Sequence, residues 1–290
     1  GSTVVPTVNK SAKGFCDLIL GDGGVVDKWS KLGVKGWRLD VVDELPIDFT
    51  DKLCARIRSE GDDMLVVGEV WEDASVKIAY SEWRPYFMGE QLDSVMNYPF
   101  KEAILSYVLN GDKNAFIADV TAVLEHYPKQ SLDVLMNLVD SHDTARAITV
   151  LSGIKAPRTK KDRANFVLSQ EQYDLAKRRL KVASALQYTL PGVPCVFYGD
   201  EAGKQGFEDP LNRGTYPWGR EDTELVEHYR ALGKIREQYK DLLQGETHFI
   251  PDADKLVFER VCADGVLRVE SQGLGLSISA NGKVVMSINK

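Results

Sequence analysis

Three short stretches of this sequence place acidic side chains at the ends of apolar runs: Gly36-Trp37-Arg38-Leu39-Asp40, Gly68-Glu69-Val70-Trp71 and Asp140-Ser141-His142-Asp143. A carboxylate that closes an apolar run sits at a strand end, so three strand ends would bring acids to one place. Converging carboxyls can divide the work of glycoside hydrolysis, one attacking the anomeric carbon while a second protonates the departing oxygen. Arg38 and Asp40 are two apart and share a face of a strand, where the guanidinium would keep the carboxylate ionised and oriented, as a nucleophile requires. Alone, that pair reads as an ordinary ion pair. Recurrence shifts the weighing, because Glu69 follows Asp40 by one βα repeat and Asp143 comes two strands later.

The elements that would position these acids are written in the hydrophobic pattern. Residues 34–41 read as a buried strand, 48–59 as an amphipathic helix and 64–70 as the next strand, with Gly61 as the breaker between them. Further strands are expected at 92–96, 134–139 and 194–198, and helices at 98–109, 116–126, 170–190 and 223–239. This alternation implies parallel strands covered by helices, since a parallel crossover needs an intervening element. Residues 251–290 differ, with short β-rich runs broken at Asp264-Gly265 and Asn281-Gly282, both hairpin signals. The expected domains are 1–245, parallel and helix-covered, and 246–290, small and antiparallel.

At 290 residues and 43% hydrophobic content the chain can bury a large core, and a net charge of −7 offers no basic surface to nucleic acid or anionic lipid. A neutral polyhydroxylated substrate fits that charge. Cys16, Cys54, Cys195 and Cys262 are too scattered for a disulfide framework or a CxxC metal site and read as free buried thiols. No run approaches the roughly 20 apolar residues of a membrane span, and the opening GSTVVPTVNK lacks a basic-then-apolar leader pattern. Together these features read as a cytoplasmic protein with no membrane partner.

The three acidic segments resemble motifs of the α-amylase family of glycoside hydrolases, family 13, especially its neopullulanase and cyclomaltodextrinase branch, and the resemblance covers nearly the whole chain. It implies Asp40 as nucleophile with Arg38 orienting it, Glu69 as general acid/base, Asp143 as the group that binds sugar hydroxyls and stabilises the transition state, and His142 as a hydrogen-bond partner of the same ring. Residues 91–100 resemble the family's sixth-strand segment and 192–201 its eighth strand and exit. Asp209-Pro210-Leu211-Asn212-Arg213 resembles a loop that supplies Asp209 and Arg213 to neighbouring sugars, although a solvated salt bridge explains that pair equally well. Trp71, Trp83, Tyr98 and Trp218 are candidates to stack on pyranose rings or simply to pack.

What the resemblance implies for the fold is a partial (β/α)8 TIM barrel, strands four to eight only, followed by a small antiparallel β domain. Val5-Pro6-Thr7-Val8-Asn9 resembles a short motif at the end of the domain inserted after strand three. Strands one to three, and the Asp/Asn-His motif whose asparagine serves a structural calcium, have no counterpart here. Calcium would therefore belong to a full-length protein, and no cofactor is assigned to these residues. The implied activity is retaining hydrolysis of α-glucans or maltooligosaccharides at α-1,4 and α-1,6 bonds, impaired in this chain, whose open sheet edges would favour self-association. Transglycosylation, a non-catalytic glucan- or partner-binding remnant, and an unrelated metal-binding barrel are the alternatives. The scarcity of histidine and the presence of Arg38 beside Asp40 weigh against the last.

Overall fold

The computed structural model describes residues 7–289, so Val5 and Pro6 of the short N-terminal motif lie outside the described residues. The chain divides into two compact units, Gly1–Met96 with Glu125–Met136, and Asn97–Leu124 with Asn137–Lys290.

In the first unit, β1 (Gly36–Leu39) pairs in parallel with β2 (Leu65–Gly68), Arg38 opposite Val67 and Leu39 opposite Gly68. The crossover is the helix Ile47–Arg58, which buries Phe49, Leu53, Cys54 and Ile57, a stripe at helical spacing. A two-stranded hairpin, β3 (Ile78–Ala79) and β4 (Glu82–Trp83), follows β2. Next comes β5 (Ser94–Asn97), parallel to β2 with Gly68 opposite Val95. The apolar runs seen in the sequence therefore form parallel strands in chain order, with Asp40 and Glu69 just beyond the C-terminal ends of β1 and β2. Helices at Lys13–Leu20 and Val25–Lys31 were not expected; both are short, and the glycines between them obscure their periodicity.

Both β5 and β6 (Met136–Asn137) contribute residues to each unit. In the second unit Asn137 accepts a backbone bond from Cys195, just after β7 (Val193–Pro194), at 2.6 Å. Gln187 ties the same junction by donating to the carbonyls of Asn137 at 3.0 Å and Cys195 at 2.9 Å. It stands on the helix Gln170–Thr189, which opens with a capping box of Ser169 and Gln172 and buries Leu180, Val182, Ala183 and Leu186. The strands are shorter than the apolar runs that contain them. Residues 134–139 and 194–198 yield only two-residue ladders because the chain leaves the sheet early to form the loops that carry the polar residues.

After the helix Thr223–Gln238, five strands form an antiparallel meander: β8 (Glu246–Phe249), β9 (Leu256–Cys262), β10 (Gly265–Gln272), β11 (Gly275–Ala280) and β12 (Lys283–Ile288). Alternation sets its buried face, on which Leu267, Val269 and Ser271 are buried and Val269 lies opposite Phe258 on one side and Ile278 on the other. The Asn281-Gly282 turn takes positive φ at both positions, 49° and 79°, as a tight hairpin with right-handed strand twist requires. All four cysteines are free, but only Cys54 is buried, its thiol pushed up to about 12 by that burial; Cys16, Cys195 and Cys262 are half-buried. No helix among the described residues is long and apolar enough to cross a membrane.

His228, on the helix Thr223–Gln238, is buried with Nε2 2.9 Å from Ser184 Oγ. Burial first, then the nearby Lys181 charge, lowers its pKa from 6.5 to about 4. The unfolded chain therefore binds more protons between those values, and the contribution of neutral His228 to stability is complete above pH 6.5 and is lost as pH falls towards 4. Urea denaturation at pH 7 and pH 4.5 checks this: the stability of wild type relative to His228→Gln should fall by about 2–3 kcal/mol at the lower pH. An unchanged difference would mean that the ring is charged in the folded protein.

Candidate active site

The first cluster is built where β1 and β2 end. Glu69 N–H donates to the Leu39 carbonyl at 3.0 Å, which extends the parallel ladder by one residue and fixes where the Glu69 side chain leaves the sheet. Gly68 is required just before it, since a Cβ there would lie 2.4 Å from Leu92 Cδ1 and 3.0 Å from Val42 Cγ1. The Glu69 side chain is only 4% exposed. Its Oε2 accepts the Val41 N–H at 2.8 Å and lies 3.0 Å from Arg38 Nη2; its Oε1 accepts Trp71 Nε1–H at 3.1 Å. Asp40, in contrast, is 74% exposed and ion-paired with Arg38 Nη1. Met96 Sδ lies 3.4 Å from Arg38 Nε. The two terminal nitrogens of one guanidinium thus contact both carboxyl groups.

Val41 reaches its hydrogen bond at a conformational cost. Its backbone is left-handed, φ 39° and ψ 53°, which a β-branched side chain disfavours. The N–H that follows Asp40 meets Glu69, so one backbone bond couples the positions of the two acids, and the left-handed Val41 turns the chain away directly after it.

The second cluster lies in the second unit. Asp143 Oδ2 is 3.1 Å from His142 Nε2, and its Oδ1 is 3.2 Å from Arg213 Nη2. Arg213 Nε also donates to the His142 carbonyl at 3.0 Å and pairs with Asp209 Oδ1 at 2.5 Å. Asp209 and Arg213 thus form a half-exposed ion pair, and Arg213 reaches the DSHD segment as well. Asn212, which sequence reasoning passed over, is fully buried and donates from Nδ2 to the carbonyls of His142 and Thr144, each at 2.7 Å.

Arg38, Asp40 and Glu69 are therefore brought together in one unit, and His142, Asp143, Asp209 and Arg213 in the other. Among the aromatic candidates, Tyr98 is buried with its hydroxyl 3.1 Å from Ser141 Oγ, a packing role. Trp83 and Trp71 are half-exposed, and Trp218 is 79% exposed with its ring centroid 4.5 Å from that of Tyr216. Among the described residues no group of three or more His, Cys, Asp or Glu side chains is arranged to hold a metal ion, so none is assigned to the calcium that the resemblance implies.

Parallel βα units with acids just past the strand ends, followed by an antiparallel sheet, define a partial (β/α)8 barrel with a C-terminal β domain. Residues 19–245 match the family described as alpha amylase, catalytic domain. Cyclomaltodextrinase from Geobacillus thermopakistaniensis is 30% identical over 268 residues, covering 88% of this chain and 40% of that enzyme. Neopullulanase 2 from Thermoactinomyces vulgaris is 32% identical over 267 residues, with the same 88% and 40% coverage. Among solved structures, the type III pullulan hydrolase from Thermococcus kodakarensis superposes with a TM-score of 0.74 at 27% identity, over 91% of this chain and 43% of that one. The chain belongs to the α-amylase catalytic-domain family, and it spans less than half the length of these relatives.

Replacing Val41 by glycine should relieve the left-handed strain while keeping the N–H bond to Glu69. Because the valine side chain is half-exposed, little burial is lost, and Val41→Gly should leave thermal stability unchanged or raise it by about 1 kcal/mol. A loss above about 1 kcal/mol in a calorimetric comparison would show that the valine is not strained.

Proposed function

We propose that these residues carry the working carboxyls of a retaining α-glucan hydrolase acting at α-1,4 and α-1,6 bonds, with Asp40 as nucleophile and Glu69 as general acid/base. The observation that carries this reading is Arg38, whose guanidinium contacts both carboxyls at once. Two carboxyls close enough to share one guanidinium suit a retaining mechanism, in which such groups stand about 5–5.5 Å apart, better than an inverting one, which must leave room for a water between them.

In the first step the exposed Asp40 carboxylate forms a bond to the anomeric carbon as Glu69 delivers a proton to the departing oxygen; in the second, Glu69 takes a proton from water, which displaces Asp40. Arg38 keeps the nucleophile aligned, and Trp71 and the Val41 N–H fix the Glu69 rotamer. His142, Asp143 and Arg213 offer a donor and acceptor set suited to sugar hydroxyls, with Asp209 holding Arg213 in place. The names of the relatives, cyclomaltodextrinase and neopullulanase among them, support a starch-derived substrate. The parallel sheet of the described residues has five strands, whereas a closed barrel of this class has eight. Residues 1–290 by themselves are accordingly expected to turn over slowly, and the tests below use the longest natural chain that carries them.

Proton NMR of the first product released from an α-linked maltooligosaccharide should show the α-anomer before mutarotation; initial β-anomer would contradict the retaining reading. The two roles separate by substitution. Asp40→Asn should abolish turnover of every substrate, while Glu69→Gln should lose about 10³-fold or more on maltotriose yet keep much more activity on α-glucosyl fluoride, whose leaving group needs little protonation. Equal losses for both variants on both substrates would show the roles to be misassigned.

A further inference from the structure

Three residues before Asp143 stands a carboxyl that the chemistry above does not use. Asp140 and Asp200 are each 2% exposed, and their carboxyls meet at the adjacent residues Arg146 and Ala147. Asp140 Oδ2 accepts the Ala147 N–H at 2.7 Å, and Asp200 Oδ1 accepts from Arg146 Nη1 at 3.1 Å. The remaining oxygens, Asp140 Oδ1 and Asp200 Oδ2, meet no other donor. An ionised carboxylate only accepts, so two of them cannot hydrogen-bond, and two buried negative charges in contact repel. A proton on one carboxyl turns the contact into a bond. It also leaves one negative charge against the one positive charge of Arg146, which is completely buried.

This assembly is attached directly to the second cluster. Arg146 Nε donates to the Asn212 carbonyl at 2.8 Å and Nη1 to that of Tyr198 at 2.7 Å, while the guanidinium lies 3.8 Å from the Phe197 ring centroid. Asn212 in turn holds the carbonyls of His142 and Thr144. We propose that Asp140 and Asp200 share a single proton and that the resulting neutral assembly with Arg146 is the positioning device for Asp143, acting through Asn212 on the backbone of residues 142–144.

Its importance for sugar binding rests on the role proposed for Asp143; the proton sharing and the loop ordering do not. Burial, followed for Asp200 by the Asp140 charge, raises both carboxyls, Asp200 well above the usual range. The other charged or titratable groups that face the pair are Lys101 from the helix Tyr98–Asn110, Cys195 beyond β7 and the Tyr229 phenol from the helix Thr223–Gln238. Because the folded pair keeps a proton that the unfolded chain gives up near pH 4, the assembly is most secure at low pH and weakens as pH rises towards the point where the pair ionises.

Carboxyl-13C NMR of aspartate-labelled residues 1–290 tests the shared proton directly. One aspartate resonance, identified by its loss in Asp200→Asn or Asp140→Asn, should keep the shift of a protonated acid at pH 7; ionisation of every aspartate below pH 6 would overturn the proposal. Amide hydrogen exchange tests the positioning. Asp200→Asn, whose amide can donate to Asp140 and accept from Arg146, should protect residues 141–147 within about threefold of wild type at both pH 6 and pH 8.5, while Asp200→Leu should lose about tenfold or more. Loss of protection in Asp200→Asn would overturn the positioning role even if the leucine variant does not fold. Neither measurement needs glucan turnover, so a failure here leaves the hydrolase reading standing, and a failed hydrolase assay leaves this one standing.

Discussion

Arg38 sets one delocalised cation against two carboxyl groups with opposite needs. In the proposed roles, Asp40, 74% exposed, is free to attack a substrate, and Glu69, 4% exposed, is buried enough to control a proton. A planar fork satisfies both because its two ends point in different directions, which a lysine ammonium could not reproduce. The neighbouring features surround that arrangement: β1 ends at Leu39, Gly68 leaves room for Leu92 and Val42 beside Glu69, and the Val41 N–H meets Glu69 where the chain turns left-handed.

The second cluster is organised by a different means. Its visible ion pairs, Asp143 with Arg213 and Arg213 with Asp209, are partly exposed, and pairs of that kind contribute little on their own. Their order comes from beneath, from Asn212 and Arg146, whose donors satisfy backbone carbonyls in two loops far apart in sequence. Buried polar groups of this kind are costly when any partner is missing, so they specify one loop arrangement rather than add to stability.

The parallel strands and their order were legible because buried strands read as continuous apolar runs, as in residues 64–70, and because three of the runs ended on distinctive acids. The pairing of Arg38 with Asp40 followed from the two-residue period of a strand alone. Strand lengths were not legible: nothing in a valine announces positive φ at position 41, and the run at 194–198 leaves the ladder where Phe197 and Tyr198 turn to pack against Arg146. Asn212 was missed for a related reason. Its partners His142 and Thr144 lie 70 and 68 residues earlier, and a lone asparagine in a polar loop carries no periodic signal. Trp71, read as a ring that stacks on a sugar or simply packs, also donates its indole N–H to Glu69, a contact the sequence does not announce.

The central claim, that Asp40 forms a covalent bond to the sugar, is tested most directly by mass spectrometry of the longest natural chain carrying these residues after incubation with 5-fluoro-α-D-glucosyl fluoride. The fluorine at C5 slows the second step, so the first intermediate accumulates. The account predicts a mass increase of one fluoroglucosyl group, localised by peptide mapping to Asp40 and absent in Asp40→Asn. Substrate turnover without any labelled enzyme, or a label on Glu69 or Asp143, would contradict it.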